Sequence, residues 1–185
     1  MNYGIYQSVR NAAWQCLIDC GITELPLKPV IIAQKYGVNC KRATAEYLKG
    51  KSGEILRDNN SNVIILTNVN DIVKRRRYTI MHELGHFVLG HLGNEPLSRS
   101  ESDCRPVEEQ AADKFAINML APACVLWGLD LHTPEEIAKV CDISMQAATY
   151  RAERMKILYK RNKFFTEPIE RDVYKQFEDF IKNNR

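Results

Sequence analysis

Residues 78–91 read YTIMHELGHFVLGH, three histidines and one glutamate inside a short apolar stretch. On an α-helix four residues turn about 400°, so His82 and His86 project from one face a turn apart, near enough for both imidazoles to hold one tetrahedral ion. Glu83 lies about 100° round from His82, at the rim of that face, where its carboxylate can reach a water beside the ion without ligating the ion itself. His-Glu-x-x-His is the zinc signature of metallopeptidases. Its three defined positions also arise by chance, so the setting matters: here the motif sits in an amphipathic helix that follows a candidate hairpin.

Zinc in a catalytic site takes three protein ligands, so a third is needed. His91 is five residues after His86, about 140° further round if the helix continues. It falls one place short of the spacing in which a glycine turn brings a third histidine back, and reads as a surface or cap histidine. EEQAADKFA is a better source, because Glu109 and Asp113 are four residues apart and share a helix face. Glu109 would ligate, and Asp113 would accept the second ring N–H of a ligand histidine. Acids in the first turns of a helix also stabilise its dipole while facing water, and spacing alone does not separate the two readings.

The 185-residue chain suits one domain, or one domain with an appendage, and its length allows roughly 70% of the unfolded surface to be buried. Hydrophobic residues make up 45% and charged residues 26%, and the net charge of +3 is too small to mark a nucleic-acid binder. MNYGIYQSVRNAAWQC lacks the apolar core of a secretory signal, and no run approaches the roughly 18 residues of a membrane span. A cytoplasmic protein with no membrane partner is expected. The six cysteines are scattered with no C-x-x-C pair, which predicts reduced thiols, with Cys16 and Cys20 as packing residues.

Apolar positions at helical spacing predict a first helix over 3–20, stopped by Gly21. Val30 to Lys35 form a short second helix closed by Gly37, and an extended segment follows. GEILRDNNSNVIILTN reads as a hairpin, with strands on either side of Asp58–Asn62. The motif helix then runs to Gly90 or Gly93. RPVEEQAADKFAINMLAP is a further helix, with Pro106 near its first turn and Pro122 past its end. Thr133-Pro134-Glu135-Glu136 has the capping-box spacing, Ser144 caps the next helix, and VYKQFEDFIKNN closes the chain as one amphipathic helix.

With both motifs placed in order, the chain resembles the ImmA/IrrE metallopeptidase family from about residue 10 to about residue 160. The matching pieces are the GITELPLKPVIIAQKYGVN segment, the hairpin, the arginine-rich lead into RRYTIMHELGH, and E-x-x-A-D-x-F-A-x-x-x-L-x-P over Glu109 to Pro122. The resemblance implies Zn2+ bound by His82, His86 and Glu109, with Glu83 as general base and Asp113 in support. It also implies cleavage of a partner helix-turn-helix (Xre-like) repressor, as in anti-repressors of bacteria and mobile elements. The expected fold is α+β, a small zincin-like (gluzincin-type) core with a short β-sheet over residues 1–130 and a helical, helix-turn-helix-like region over 131–185. Two features depart from the family: GHLGNEPLSRSESDCRP carries no signature of it, and Ala111 stands where a second acid is often seen. Glu108 is the rival ligand if the register is off by one.

Zinc with three protein ligands leaves a fourth position for water, whose proton Glu83 would take. His91, Tyr78, Tyr150 and Arg151 are candidate donors to the oxyanion, unranked by sequence. Lys74–Arg77 reads as a solvated basic face, with Arg77 in a structural contact. TPEEIAKVCDISMQAATYRAERMKIL has the layout of a DNA reader, with Gln146, Thr149 and Arg151 where base contacts could arise and a basic cluster after it, but helix pairs that only pack are commoner, so DNA binding is not the expected role. The alternative function is a DNA- or repressor-binding regulator with a non-catalytic zinc site. Glu83 favours the enzyme, because structural zinc recruits four side chains with cysteines prominent and has no use for an acid beside an open position.

Overall fold

The computed structural model describes residues 3–92, 106–162 and 164–185. Helix α1 (Tyr3–Asp19) ends where Gly21 takes a left-handed φ of 59°. Helix α2 (Pro29–Lys35) starts with proline at its first position, where a missing N–H costs nothing, and leads into strand β1 (Asn39–Ala43). Strands β2 (Gly53–Arg57) and β3 (Val63–Asn68) form the expected hairpin, pairing antiparallel with Ile55 opposite Ile65. Asp58 organises its turn: Oδ1 accepts from the backbone N–H of Asn60 at 2.9 Å and of Asn62 at 2.8 Å. The extended segment becomes the third strand, with β1 parallel to β3 and Cys40 opposite Ile65. The sheet order is β1-β3-β2, so β3 is central and the most buried, while β2 is an edge strand that pairs only with β3 among the described residues.

Helix α3 (Val73–Val88) carries the histidine motif and packs between the sheet and α4 (Val107–Leu120). It stops at Gly90, φ 77°; Gly93, the other expected end, lies outside the described residues. Arg77 anchors α3 as expected, donating to the Leu27 carbonyl at 2.8 Å and pairing with Asp142 at 3.3 Å. Helix α5 (Ala123–Gly128), unforeseen, is a short apolar piece with five of its six residues buried, so it has no polar face to give a period. Helices α6 (Pro134–Cys141) and α7 (Met145–Arg161) begin at the expected caps: Thr133 and Glu136 complete the capping box, and Ser144 Oγ accepts from Ala147 N–H at 3.2 Å.

The last helix differs from expectation. It divides into α8 (Pro168–Gln176) and α9 (Glu178–Asn184), with Phe177 at the join. Val173, Phe177 and Ile181, four residues apart, are all buried, and Tyr174 and Ile181 pack against Gly128 at the end of α5. One hydrophobic cluster runs from Val9 on α1 to Ile181 on α9, with Trp14, Phe115 and Phe177 its largest fully buried members. Cys16, Cys20, Cys124 and Cys141 are buried and, with Cys40, free; Cys104 lies outside the described residues. The architecture is α+β, a small zincin-like domain in which α3, α4 and the edge strand β2 surround one cleft. No helix among the described residues is long and apolar enough to cross a membrane.

Candidate metal centre

The two motif histidines stand a turn apart on α3, ring centroids 4.9 Å and Nε2 atoms 3.2 Å from one another. Glu109, in the first turn of α4, places Oε2 3.5 Å from His82 Nε2 and Oε1 3.4 Å from His86 Nε2. Among the described residues His82, His86 and Glu109 are the group whose donor atoms converge closely enough to hold one ion; Glu108 is not in it. Zinc bonds to nitrogen and oxygen are about 2.0–2.1 Å, so the corners of a tetrahedron around it lie roughly 3.3–3.5 Å apart. The separations of the two imidazole nitrogens from one another and from the carboxylate are close to those edges, with each histidine facing a different Glu109 oxygen, and the residues present fit the ion.

Gly85, between the histidines, explains how α4 comes so near. A Cβ there would lie 3.0 Å from Phe115 Cδ1 and 3.1 Å from Phe115 Cβ, so the ring of α4 rests directly on the backbone of α3. Asp113, one turn beyond Glu109, thereby reaches His82: Oδ1 is 2.9 Å from Nδ1 and also accepts the Tyr78 hydroxyl at 3.0 Å. His91 reaches the other histidine, its Nδ1 3.0 Å from His86 Nδ1. Asp113 fixes the proton of His82 on Nδ1, and His91 can accept one from His86 Nδ1. Both Nε2 atoms are then lone pairs aimed at the same point, an arrangement that repels until a cation enters.

Burial opposes protonation of His82, but Asp113, Glu83 and Glu109 outweigh it and hold its pKa above the ordinary value. Burial and the neighbouring His82 depress His86. Glu83 is only 9% exposed, and burial pushes its carboxyl up to about 7; Glu109 and Glu54 add to the rise, while His82 and a hydrogen bond from the Ile55 backbone oppose it. A dication beside these groups would act the other way, favouring the ionised carboxylate.

Glu83 faces a cleft of about 1190 Å³ whose walls are β2, α3, α4 and the start of α7. Residues 32–153 match the family described as the IrrE N-terminal-like domain, a family of peptidases. The chain belongs to this family. It is thus a zinc metallopeptidase of the IrrE/ImmA kind. No curated protein matches it.

Within this IrrE-type peptidase, three of the four candidate oxyanion donors, Tyr78, His91 and Tyr150, line the cleft. Arg151 does not: it is 3% exposed and bonded to Asn118 on α4, which also removes it from any surface where the DNA-reading alternative would need it. Gln146, another residue of the DNA-reading alternative, lines the cleft, and Thr149 turns its hydroxyl back to the Met145 carbonyl at 2.9 Å. Sequence reasoning missed the contacts of Tyr78 and His91. Tyr78 is four residues before His82 and so shares its face, a signal that was present. The return of His91 depends on the left-handed turn at Gly90, for which helical spacing gives no rule.

Proposed function

We propose that this metallopeptidase is an anti-repressor that cleaves a partner helix-turn-helix repressor at one site, with His82, His86 and Glu109 holding zinc, Asp113 orienting His82, and Glu83 as the general base. The observation that carries the site assignment is the convergence of two imidazoles and a carboxylate from two different helices, the Nε2 atoms 3.2 Å apart and each facing one Glu109 oxygen at 3.4 or 3.5 Å. The repressor as substrate rests on the family resemblance of the chain. Bound there, zinc would acidify a water to a pKa near 7 and polarise the scissile carbonyl.

The remaining chemistry belongs to this chain's side chains. Glu83 accepts the proton of the attacking water on its carboxylate and returns it to the leaving amine nitrogen. Its burial places that transfer away from bulk solvent. The substrate's backbone has a natural seat along β2, because Gly53, Glu54 and Ile55 line the cleft and β2 pairs only with β3 among the described residues. An extended peptide can add to such an edge through main-chain hydrogen bonds, which suits a protease that must hold any sequence straight while side-chain pockets choose the site.

The test is a repressor-controlled reporter with immunoblotting of the repressor, comparing wild type, Glu83→Gln and His82→Ala. Glutamine keeps the size of the side chain but cannot accept the proton, so Glu83→Gln should bind zinc and the repressor yet cut about 10²–10⁴ times more slowly. Derepression by Glu83→Gln at the wild-type level, with the repressor still full length, would show that the protein acts by binding alone.

A further inference from the structure

A second cavity, about 100 Å³, lies where α1, α4, α7 and the start of α8 meet, away from the metal centre. Its walls include Arg10 and Trp14 of α1, Arg154 and Arg161 of α7, and Glu167 and Glu170 at the head of α8. Close by, Arg151 is buried, and its one hydrogen bond among the described residues is a long one, Nη2 to Asn118 Oδ1 at 3.4 Å. Three donors of this cluster, Trp14 Nε1, Arg151 Nε and Arg154 Nε, are buried with no hydrogen-bond partner among the described residues. Buried donors in native proteins are almost always satisfied, and a buried guanidinium without a counter-charge is among the most costly arrangements a core can contain.

The two carboxylates do not supply that counter-charge. Glu167 is taken by Arg10 at 2.5 Å and by Gln7 at 2.9 Å, and Glu170 accepts from the Thr166 N–H at 3.2 Å. Four guanidinium groups, Arg10, Arg151, Arg154 and Arg161, thus stand against two carboxylates, leaving an excess of two positive charges. Tyr6, also in the wall, registers the resulting potential: burial raises its phenol, yet Arg151, Arg154 and Arg10 outweigh burial and hold it below its ordinary value.

We propose that this chamber binds one small tetrahedral oxyanion, inorganic phosphate or sulfate, with Arg154, Arg161 and the Trp14 indole N–H as donors and the charge of Arg151 beneath it. The volume is about three waters' share of the liquid, which suits an ion of four oxygens and excludes a nucleotide. Bound there, the ion joins the N-terminal helix to the C-terminal helices through charge-assisted hydrogen bonds. The site is separate from the catalytic cleft and does not rest on the repressor reading.

The experiment uses full-length, zinc-loaded protein labelled with ¹⁵N-tryptophan and prepared in chloride without phosphate or sulfate. The two tryptophans, Trp14 and Trp127, give two indole N–H signals, assigned with Trp127→Phe. Phosphate or sulfate at constant ionic strength should move the Trp14 signal saturably. It should also raise the melting temperature by about 3–6 °C at ten times the dissociation constant, where chloride has no such effect. Arg161→Gln, at an exposed position that folding can spare, should weaken phosphate binding roughly tenfold, and Arg154→Gln should do the same. A Trp14 signal unmoved at roughly 50 mM phosphate would mean that the chamber holds water only. Equal shifts with chloride would reduce the effect to screening, wild-type affinity in both arginine variants would place the ion elsewhere, and an equal response to adenosine monophosphate would contradict an enclosed single-ion site.

Discussion

A carboxylate that never touches the metal can still govern how tightly it is held. Asp113 accepts from His82 Nδ1 at 2.9 Å and from Tyr78 at 3.0 Å, so it fixes both the tautomer and the ring plane of one proposed ligand. Asp113→Ala should therefore weaken zinc affinity about 10- to 100-fold while leaving the fold intact, as measured by competition with a chromogenic chelator. Unchanged affinity would mean that packing alone orients His82. The same logic explains why His91, which spacing excluded as a ligand, ended beside His86 all the same: it meets the far nitrogen of the ring, where a support belongs.

Two helix contacts set the element scale. The crossing of α3 and α4 is so close at Gly85 that a Cβ would touch Phe115 at 3.0 Å, and the whole metal geometry follows from that approach. Gly85→Val should force α4 outward, cost about 1–3 kcal/mol by overpacking, and weaken zinc binding more than it weakens the fold. Denaturant melts with and without zinc separate the two losses, and a variant with normal zinc affinity would show that α4 can shift without moving Glu109. At the other end of the molecule, Glu167 at the head of α8 pairs with Arg10 of α1. Burial raises its carboxyl, but Arg10, Asn11 and Gln7 outweigh burial and hold it below the ordinary 4.5. A lowered folded pKa means that the unfolded chain takes up the proton first, so the contribution is present above about pH 5.5 and is lost as pH falls through the folded value. In phosphate-free buffer Glu167→Gln should then be less stable than wild type at pH 7 by about 1–3 kcal/mol, and the gap should close as pH falls through the lowered folded value. A gap that stays constant with pH would assign the loss to packing rather than charge.

For the whole molecule, the proposed ligands come from two helices separated by a long connection, so zinc bound there would act as a clasp between α3 and α4. An ion that binds only the folded state stabilises it by an amount set by its concentration over its dissociation constant, about 4 kcal/mol at a thousandfold excess. Stripping the metal with a chelator should lower the melting temperature by roughly 8–16 °C for a chain of this size, and zinc should restore it. His82→Ala should show little of this response, and a full response in that variant would move the zinc site elsewhere.

The sequence by itself determined most of what is local, though not α5 or the division of the last helix. Helical spacing put His82, Glu83 and His86 on one helix, side-chain chemistry set the caps at Thr133 and Ser144, and the Asp58 turn defined the hairpin, because each depends on residues within a few positions of one another. Glu109 was legible only as one of two equal readings until the family resemblance favoured it, since nothing in its own helix distinguishes a ligand from an acid facing water. Tertiary structure decided the rest. The parallel pairing of β1 with β3, the join at Phe177 and the burial of Arg151 all arise from surfaces that meet across long stretches of chain. A residue's polarity states what it can bond to, but only packing decides which face of the molecule it finds, and by that route an arginine of the DNA-reading alternative came to lie in the core.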